Sequence, residues 1–149
     1  MKLYRLGQQP HIASTAGLGG LYSDDRWHEI GTPIVYTSEH LSLAKLEVLA
    51  NAASLPRRYF LLTLEVPDDA SIHCLKETDL PPGWNSLPHN KATVRLAQQW
   101  ILAGTHWLLR VPSIHATNEY NYLLNPLHSS HSQLRVVSLE PHPFDARLK

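Results

Sequence analysis

The sequence has only one cysteine, Cys74, among 149 residues. A single cysteine excludes a disulfide framework and any cysteine-based zinc site. The chain also has no 18-residue apolar segment that would span a membrane, and its N-terminal stretch MKLYRLGQQP has no apolar run typical of a signal peptide. These absences predict a cytoplasmic globular protein with no membrane association.

Charge of either sign is also scarce. Charged residues make up 17% of the chain, and 13 Lys and Arg balance 13 Asp and Glu. A protein that binds nucleic acid directly needs a basic stripe, and this sequence has none. Ten histidines are scattered along the chain. His128 and His131 have a spacing that a metal could use, but no acidic or cysteine partner stands near them, so we expect no metal unless the histidines cluster in space.

The length and the pattern of apolar residues predict one α+β domain over residues 1–149, because the strands outnumber the helices and do not alternate with them regularly. We expect residues 67–90 to be mostly loop and residues 113–131 to be an irregular connection. The predicted strands are 2–6, 34–38, 59–66, 106–111 and 134–140, and the predicted helices are 41–53 and a helix capped by Asn90 that runs to about Ala103.

The first predicted helix, 41–53, carries a carboxylate, Glu47, that is a candidate functional residue. Ser38 or Ser42 is a candidate cap for it. Glu47 lies at the edge of the helix's apolar arc, near the core boundary, where a carboxylate needs a partner or a function. The arc comprises Leu43, Leu46, Leu49, Ala50 and Ala53.

Several other polar residues have an ordinary structural interpretation when each is taken alone. Arg26 stands among acidic neighbours and would form a surface ion pair, and Tyr36 would be a core residue of a strand. Ser113 would bond a turn after Pro112. Asn121 and Asn125 would shape a loop. The glycine-rich stretch 17–20 either makes tight turns or brings backbone close to a ligand, and its sequence does not decide which.

Seven short stretches follow one another in an order that is more specific than any one of them. They are YR at 4–5, RWHEIGTPIVYTS at 26–38, LAKLE at 43–47, LPPGW at 80–84, LRVPS at 109–113, NYLLNPLH at 121–128 and FDARL at 144–148. In that order the chain resembles the RES-domain family, toxins of bacterial toxin–antitoxin pairs that are named for an Arg, a Glu and a Ser. In place of the glycine that this family usually has before its RW pair, the chain has Asp25.

The resemblance implies an ADP-ribosyltransferase-like fold, with a mixed, mainly antiparallel sheet and flanking helices. It also implies an enzyme that uses NAD as its substrate and needs no metal. Such a toxin would cleave the nicotinamide–ribose bond by hydrolysis or phosphorolysis and deplete cellular NAD until growth stops. One alternative is an ADP-ribosyltransferase that modifies a specific protein, and a second is an inactive module that binds a protein.

By the same resemblance, Arg26, Glu47 and Ser113 are the catalytic residues. Breaking the nicotinamide–ribose bond produces an oxocarbenium-like transition state, which a carboxylate such as Glu47 stabilises. The guanidinium of Arg26 would hold the diphosphate, and Ser113 would orient the ribose. The rings of Tyr36 and Trp27 would offer a face to nicotinamide or ribose. The implied NAD-binding residues are Arg26, Trp27, Tyr36, Ser113 and Asn125.

The family also implies a partner. This would be an Xre-like helix-turn-helix antitoxin that binds DNA and blocks the NAD cleft. The resemblance also allows two copies of the toxin to form a homodimer within that complex. Because the chain has no basic stripe, we expect any DNA contact to come from that partner.

Overall fold

Seven strands form one sheet in the computed structural model, which describes all 149 residues. Two α-helices and five short 3₁₀ turns complete the chain. The strands are β1 (Lys2–Gln8), β2 (Val35–Ser38), β3 (Tyr59–Glu65), β4 (Ile72–Cys74), β5 (Leu108–Pro112), β6 (Tyr120–Leu124) and β7 (Arg135–Pro141), and the helices are α1 (Leu41–Asn51) and α2 (Lys91–Ala103).

The strand order is β4-β5-β6-β2-β1-β3-β7, with one parallel pair, β4 with β5. All other neighbours are antiparallel. The α+β class and the mixed, mainly antiparallel sheet are therefore confirmed. No helix is both long and apolar enough to cross a membrane.

The two faces of the sheet bury separate cores, because successive side chains of a strand point to opposite faces. One core includes Leu108 and Leu124 and surrounds the fully buried Trp107. The other includes Leu109 and Leu123 and packs against α2 and three further tryptophans. Those three are Trp27, Trp84 and Trp100.

The α2 prediction is confirmed at both ends. The Asn90 side chain accepts a hydrogen bond from the backbone N–H of Ala92 at 2.8 Å, which satisfies a free donor of the first turn. The helix stops where Gly104 adopts a left-handed conformation with φ of 63°. The apolar spacing of α2 predicts a buried face of Val94, Ala97, Trp100 and Ile101; the first three are buried and Ile101 is half-buried.

The α1 prediction is wrong in three details. The helix ends at Asn51, and no side chain caps its start, because the Ser38 hydroxyl bonds to Asn121 instead. Of the predicted apolar arc only Leu43 is buried, and Leu46 is 39% exposed. The helix packs on β1 and β2 through a narrow face containing Leu43 and Ala44, and Glu47 follows that face one turn later.

Two strands lie where the sequence predicts loop. β4 falls within 67–90 and forms a short edge strand that pairs with β5 over three residues. β6 falls within 113–131 and occupies the interior of the sheet, between β5 and β2. Its sequence YNYLL has no β-branched residue. Asn121 within the strand and Asn125 directly after it are of a residue type more typical of turns.

The glycine-rich stretch makes a close backbone approach within the protein. A Cβ on Gly20 would lie 2.0 Å from the carbonyl oxygen of Thr32, and one on Gly17 would lie 2.5 Å from the nitrogen of Ile34. The backbone N–H of Gly31 donates to the carbonyl of Gly20 at 2.9 Å. This contact closes the loop 17–34, whose tip turns Arg26, Trp27 and His28 into the interior.

Candidate active site

A cavity of about 340 Å³ lies between α1 and the sheet. This volume is within the range of small-molecule sites, about 300–1,000 Å³. Its wall combines apolar side chains with converging polar groups from several elements of the fold. The polar residues include Asp25, Tyr36, Ser38, Glu47, Asn51 and Asn121.

The Glu47 carboxylate is the centre of a hydrogen-bond network in this wall. Its Oε1 accepts from the side-chain amide of Asn121 at 2.7 Å and from the hydroxyl of Ser113 at 3.1 Å. Its Oε2 lies 3.5 Å from Nε2 of His115. The Ser38 hydroxyl donates to Oδ1 of Asn121 at 2.6 Å, which directs the amide nitrogen of Asn121 toward Glu47. Glu47 is therefore held in one orientation while its side chain stays 29% exposed.

Strand register brings these groups together. Asn121 on β6 lies opposite Ser38 on β2 and opposite Val111 on β5. Ser113 follows β5 directly, on the same alternation as Val111, and α1 places Glu47 above this point. β2 and α1, which are adjacent in sequence, thus converge with the distant β5 and β6 on one side of the sheet.

Ser113 bonds a turn, as its ordinary structural interpretation predicts, and it also bonds to Glu47. Its Oγ accepts hydrogen bonds from the backbone N–H groups of His115 at 3.0 Å and Ala116 at 3.3 Å, as in a turn. The hydroxyl proton is left to donate to Glu47. The turn therefore fixes the direction of that proton.

Arg26 is buried, so the surface ion pair that its acidic neighbours favoured is wrong. Its Nη1 donates to the carbonyl oxygens of Trp84 at 2.6 Å and Ser86 at 3.0 Å. The Asp25 carboxylate bonds to the backbone N–H of Arg26 at 2.7 Å and forms no salt bridge with the guanidinium. Burial lowers the pKa of Arg26, and the negative charges of Asp25 and Glu47 oppose that shift. Nη2 and Nε form no hydrogen bond within the protein.

Tyr36 lines the cavity with a hydroxyl oriented by His28. Nε2 of His28 lies 2.7 Å from the carbonyl oxygen of Ser23, which can only accept, so this nitrogen carries the proton of the neutral ring. Nδ1 then accepts from the Tyr36 hydroxyl at 2.6 Å. Burial, reinforced by the charge of Asp25, raises the pKa of Tyr36 well above its usual value of 10.0, so the hydroxyl stays protonated.

Of the predicted site residues, Arg26, Trp27 and Asn125 neither line this cavity nor bond to Glu47. Trp27 is 5% exposed and packs in the core against α2, so its ring face is not available to a ligand as the sequence led us to expect. Asn125 follows the opposite end of β6, about 13 Å along the strand from Asn121. Its Oδ1 accepts from the backbone N–H of Leu127 at 3.0 Å and shapes a turn.

Sequence reasoning missed several residues that the structure places at the site. Asn121 was interpreted as loop-shaping, Ser38 as a helix cap, and His115 was not considered. The run of two tyrosines and two leucines over 120–124 is the signal that could have identified β6, since aromatic residues favour strands. Pairing of that strand with VYTS would then have put Asn121 opposite Ser38.

No group of three or more His, Cys, Asp or Glu side chains is placed to hold a metal ion. The histidines do meet in one pair, His73 and His106, whose ring centroids are 5.5 Å apart.

The family model for the RES domain matches residues 2–146. The chain belongs to the RES-domain family. A protein named Prs ADP-ribosylating toxin from Sphingobium sp. (strain YBL2) is 31% identical over 137 residues, which cover 89% of this chain and 85% of that protein. A protein named Toxin Res from Yersinia enterocolitica is 34% identical over 154 aligned positions that span all of both chains.

A solved structure shares the fold of this RES domain. It is a chain in the crystal structure of the M. tuberculosis MbcT-MbcA toxin–antitoxin complex, with a TM-score of 0.73. The match covers 95% of this chain and 84% of that one, at 13% sequence identity. At that identity the similarity concerns the fold alone.

Proposed function

We propose that this RES domain is the toxin of a toxin–antitoxin pair and that it consumes NAD by breaking the bond between nicotinamide and ribose. The observation that carries this proposal is the Glu47 carboxylate, fixed by Ser113 and Asn121 in the wall of a cavity of ligand size. The ADP-ribosyl group passes to water or to phosphate, and the loss of NAD arrests growth.

Glu47 would act by electrostatic stabilisation. As the bond to nicotinamide lengthens, positive charge develops on the ribose ring, and a carboxylate fixed beforehand stabilises that charge without reorganising. Both hydrogen bonds from Asn121 and Ser113 go to Oε1, which leaves Oε2 free of hydrogen bonds apart from the neighbouring His115. Nicotinamide leaves as a neutral molecule, so the reaction does not require a strong general acid.

Arg26 and Tyr36 would bind the remainder of NAD. The guanidinium of Arg26 is always charged, and its Nη2 and Nε are free to bind one diphosphate oxygen pair in a bidentate manner. The Tyr36 hydroxyl donates to His28 and would accept a hydrogen bond from a ribose hydroxyl. Ser113, whose hydroxyl already donates to Glu47, would orient the nicotinamide ribose through that carboxylate.

Transfer of ADP-ribose to a protein is the second candidate. It is favoured by the relative from Sphingobium, whose name describes an ADP-ribosylating toxin. Both reactions break the same bond of NAD and use the same fixed carboxylate. They differ in the acceptor that reaches the anomeric carbon.

Incubation of the purified chain with NAD tests the proposal. We expect free nicotinamide to accumulate in many-fold excess over the enzyme in the absence of any other protein. A chain that releases nicotinamide only when a bacterial lysate is added, with ADP-ribose attached to one protein, would be a transferase. A chain that releases none in either case would be a binding module.

The partner would be an Xre-like DNA-binding antitoxin that covers the cavity. The support is the structural neighbour, which comes from a toxin–antitoxin complex, and the balanced charge of this chain. We expect the chain alone not to shift DNA in a gel at physiological salt and the complex with its antitoxin to do so.

A further inference from the structure

His115 lies beside the carboxylate that the proposed function makes catalytic. Its Nε2 is 3.5 Å from Oε2 of Glu47, and this is the one ion-pair contact that Glu47 makes within 4.0 Å. Ser113 holds both partners, since its Oγ donates to Oε1 of Glu47 at 3.1 Å and accepts from the backbone N–H of His115 at 3.0 Å. One hydroxyl therefore fixes the imidazole next to the carboxylate oxygen that accepts no hydrogen bond.

The two protonation states of His115 leave Oε2 of Glu47 in different conditions. The ring nitrogens form no hydrogen bond within the protein, and the 3.5 Å contact with Oε2 is longer than an ordinary N–H···O hydrogen bond. The neutral ring therefore leaves Oε2 able to face a substrate. The protonated ring carries a proton on each nitrogen, so its Nε2 would donate to Oε2 and form an ion pair.

No other charge compensates Glu47 at short range. From β6 the neutral amide of Asn121 faces the carboxylate. The guanidinium of Arg26 donates to backbone carbonyl oxygens and forms no ion pair with Glu47. Glu119, the other charged residue of the loop that carries His115, forms no ion pair with the imidazole. The charge of His115 therefore decides whether the carboxylate is compensated.

We propose that His115 is a positioning residue that controls the charge of Glu47, so that its protonated ring suppresses NAD cleavage and its neutral ring releases the carboxylate. The inference rests on the proposed function, in which Glu47 stabilises positive charge on the ribose. An imidazolium bound to Oε2 takes the oxygen that would face this developing charge and adds a positive charge beside it. Histidine changes its charge between about pH 5 and 8, above the range in which an ordinary carboxylate is protonated.

The pH dependence of kcat/KM for nicotinamide release tests this control, because kcat/KM reports the titrating groups of the free enzyme. It is measured between about pH 5.5 and about pH 8 on the wild type and on two variants. His115→Gln has no titrating ring but keeps a neutral donor, and His115→Lys carries an ammonium that stays charged over this range.

His40→Gln is the matched control. Nε2 of His40 lies 3.7 Å from Oε1 of Glu39, which is a similar contact between a histidine and a carboxylate, and neither residue lines the cavity. Thermal melting at both ends of the pH range verifies that each protein is folded.

For the wild type and His40→Gln we expect kcat/KM to fall about fivefold or more from pH 8 to about pH 5.5. His115→Gln should lose much less over this range and should exceed the wild type at its acidic end. His115→Lys should be about tenfold or more below His115→Gln at pH 8, because its positive charge stays beside Oε2.

Three results would overturn this inference and leave NAD cleavage standing. The first is an acid loss in folded His115→Gln as large as that of the wild type. The second is a His115→Gln variant below the wild type at both ends of the range, which would make the ring a base that turnover requires. The third is equal kcat/KM of the Lys and Gln variants at pH 8. A wild type that releases no nicotinamide at any pH overturns the proposed function together with this inference.

Discussion

The hydroxyl of Ser113 donates a 3.1 Å hydrogen bond to the carboxylate of Glu47, 66 residues earlier in the chain. The two residues belong to different parts of the fold, since Ser113 directly follows β5 and Glu47 lies on α1. The Oγ of Ser113 accepts hydrogen bonds from the backbone N–H groups of His115 and Ala116, and these bonds direct its hydroxyl proton toward Glu47. The carboxylate is therefore oriented before any ligand arrives, which is the condition for electrostatic catalysis.

Asn121 should matter as much as Ser113 for that orientation. Asn121→Asp would replace the 2.7 Å amide donor with a second carboxylate facing Glu47, so we expect nicotinamide release to fall by about a hundredfold. The measurement is kcat for NAD cleavage, with Asn118→Asp, an exposed change of the same type, as the control. Equal losses in both variants would mean that the added charge acts at long range and that the hydrogen bond does not matter.

Asn125 should respond differently from Asn121. Asn125→Ala removes the acceptor of the part-buried hydrogen bond from the backbone N–H of Leu127, so we expect the free energy of unfolding to fall by about 0.5–1.5 kcal/mol. We expect denaturant melts to show that loss while the KM for NAD of the folded fraction stays unchanged. A raised KM with unchanged stability would instead support the role in NAD binding that the family resemblance implies.

The contrast between these two asparagines shows how far the sequence can predict this site. Both lie in the segment NYLLNP, and local composition describes both equally well as turn residues. Only the pairing of β6 with β2 and β5 separates them, since it places Asn121 opposite Ser38 and leaves Asn125 beyond the last paired residue. Pairing between strands distant in sequence is set by the whole sheet, so local patterns could not supply it.

Residues with strong local signals were predicted better. Asn90 and Gly104 bound α2 as expected, because capping and left-handed glycines depend on the immediate neighbours. The family pattern predicts Arg26, Glu47 and Ser113 in one site. The structure brings Glu47 and Ser113 into contact, while Arg26 bonds to the carbonyl oxygens of Trp84 and Ser86. The apolar arc of α1 was predicted wrongly, because the helix lies over a cavity and buries only a narrow face.

Arg26 should prove essential for substrate affinity. Arg26→Lys replaces a planar fork with a single ammonium, which cannot bind two carbonyls and a diphosphate at once. We expect the KM for NAD to rise by about tenfold with a smaller change in kcat. Steady-state kinetics on this variant and on Arg95→Lys, at an exposed position of α2, would measure the difference. An unchanged KM in Arg26→Lys would mean that Arg26 does not bind NAD and that its role is structural, through its hydrogen bonds to the carbonyl oxygens of Trp84 and Ser86.

His142 should make the protein less stable in mild acid. Burial lowers the pKa of His142 from its usual 6.5, the positive charge of Lys45 lowers it further, and Glu140 opposes the shift. Its Nε2 is buried without a hydrogen-bond partner. The unfolded chain therefore binds a proton more readily than the native one as pH falls through 6.5, so the free energy of unfolding decreases on acidification.

His142→Gln removes this titrating group while keeping the backbone hydrogen bond from residue 142 to Tyr59. We expect the loss of unfolding free energy between neutral and mildly acidic pH to be smaller in the variant than in the wild type. Urea denaturation at several pH values measures it, with the exposed His11→Gln as the control. An identical pH dependence in His142→Gln and the wild type would contradict the assignment.

The central claim, that the fixed carboxylate of Glu47 supports cleavage of NAD, is tested most directly by nicotinamide release from Glu47→Gln. Glutamine keeps the size of the side chain and an oxygen that Ser113 and Asn121 can reach, but it removes the charge. With the exposed Glu140→Gln as the control, we expect Glu47→Gln to melt near the wild-type temperature and to release nicotinamide about a hundredfold more slowly or less. Near wild-type release by folded Glu47→Gln would contradict the account.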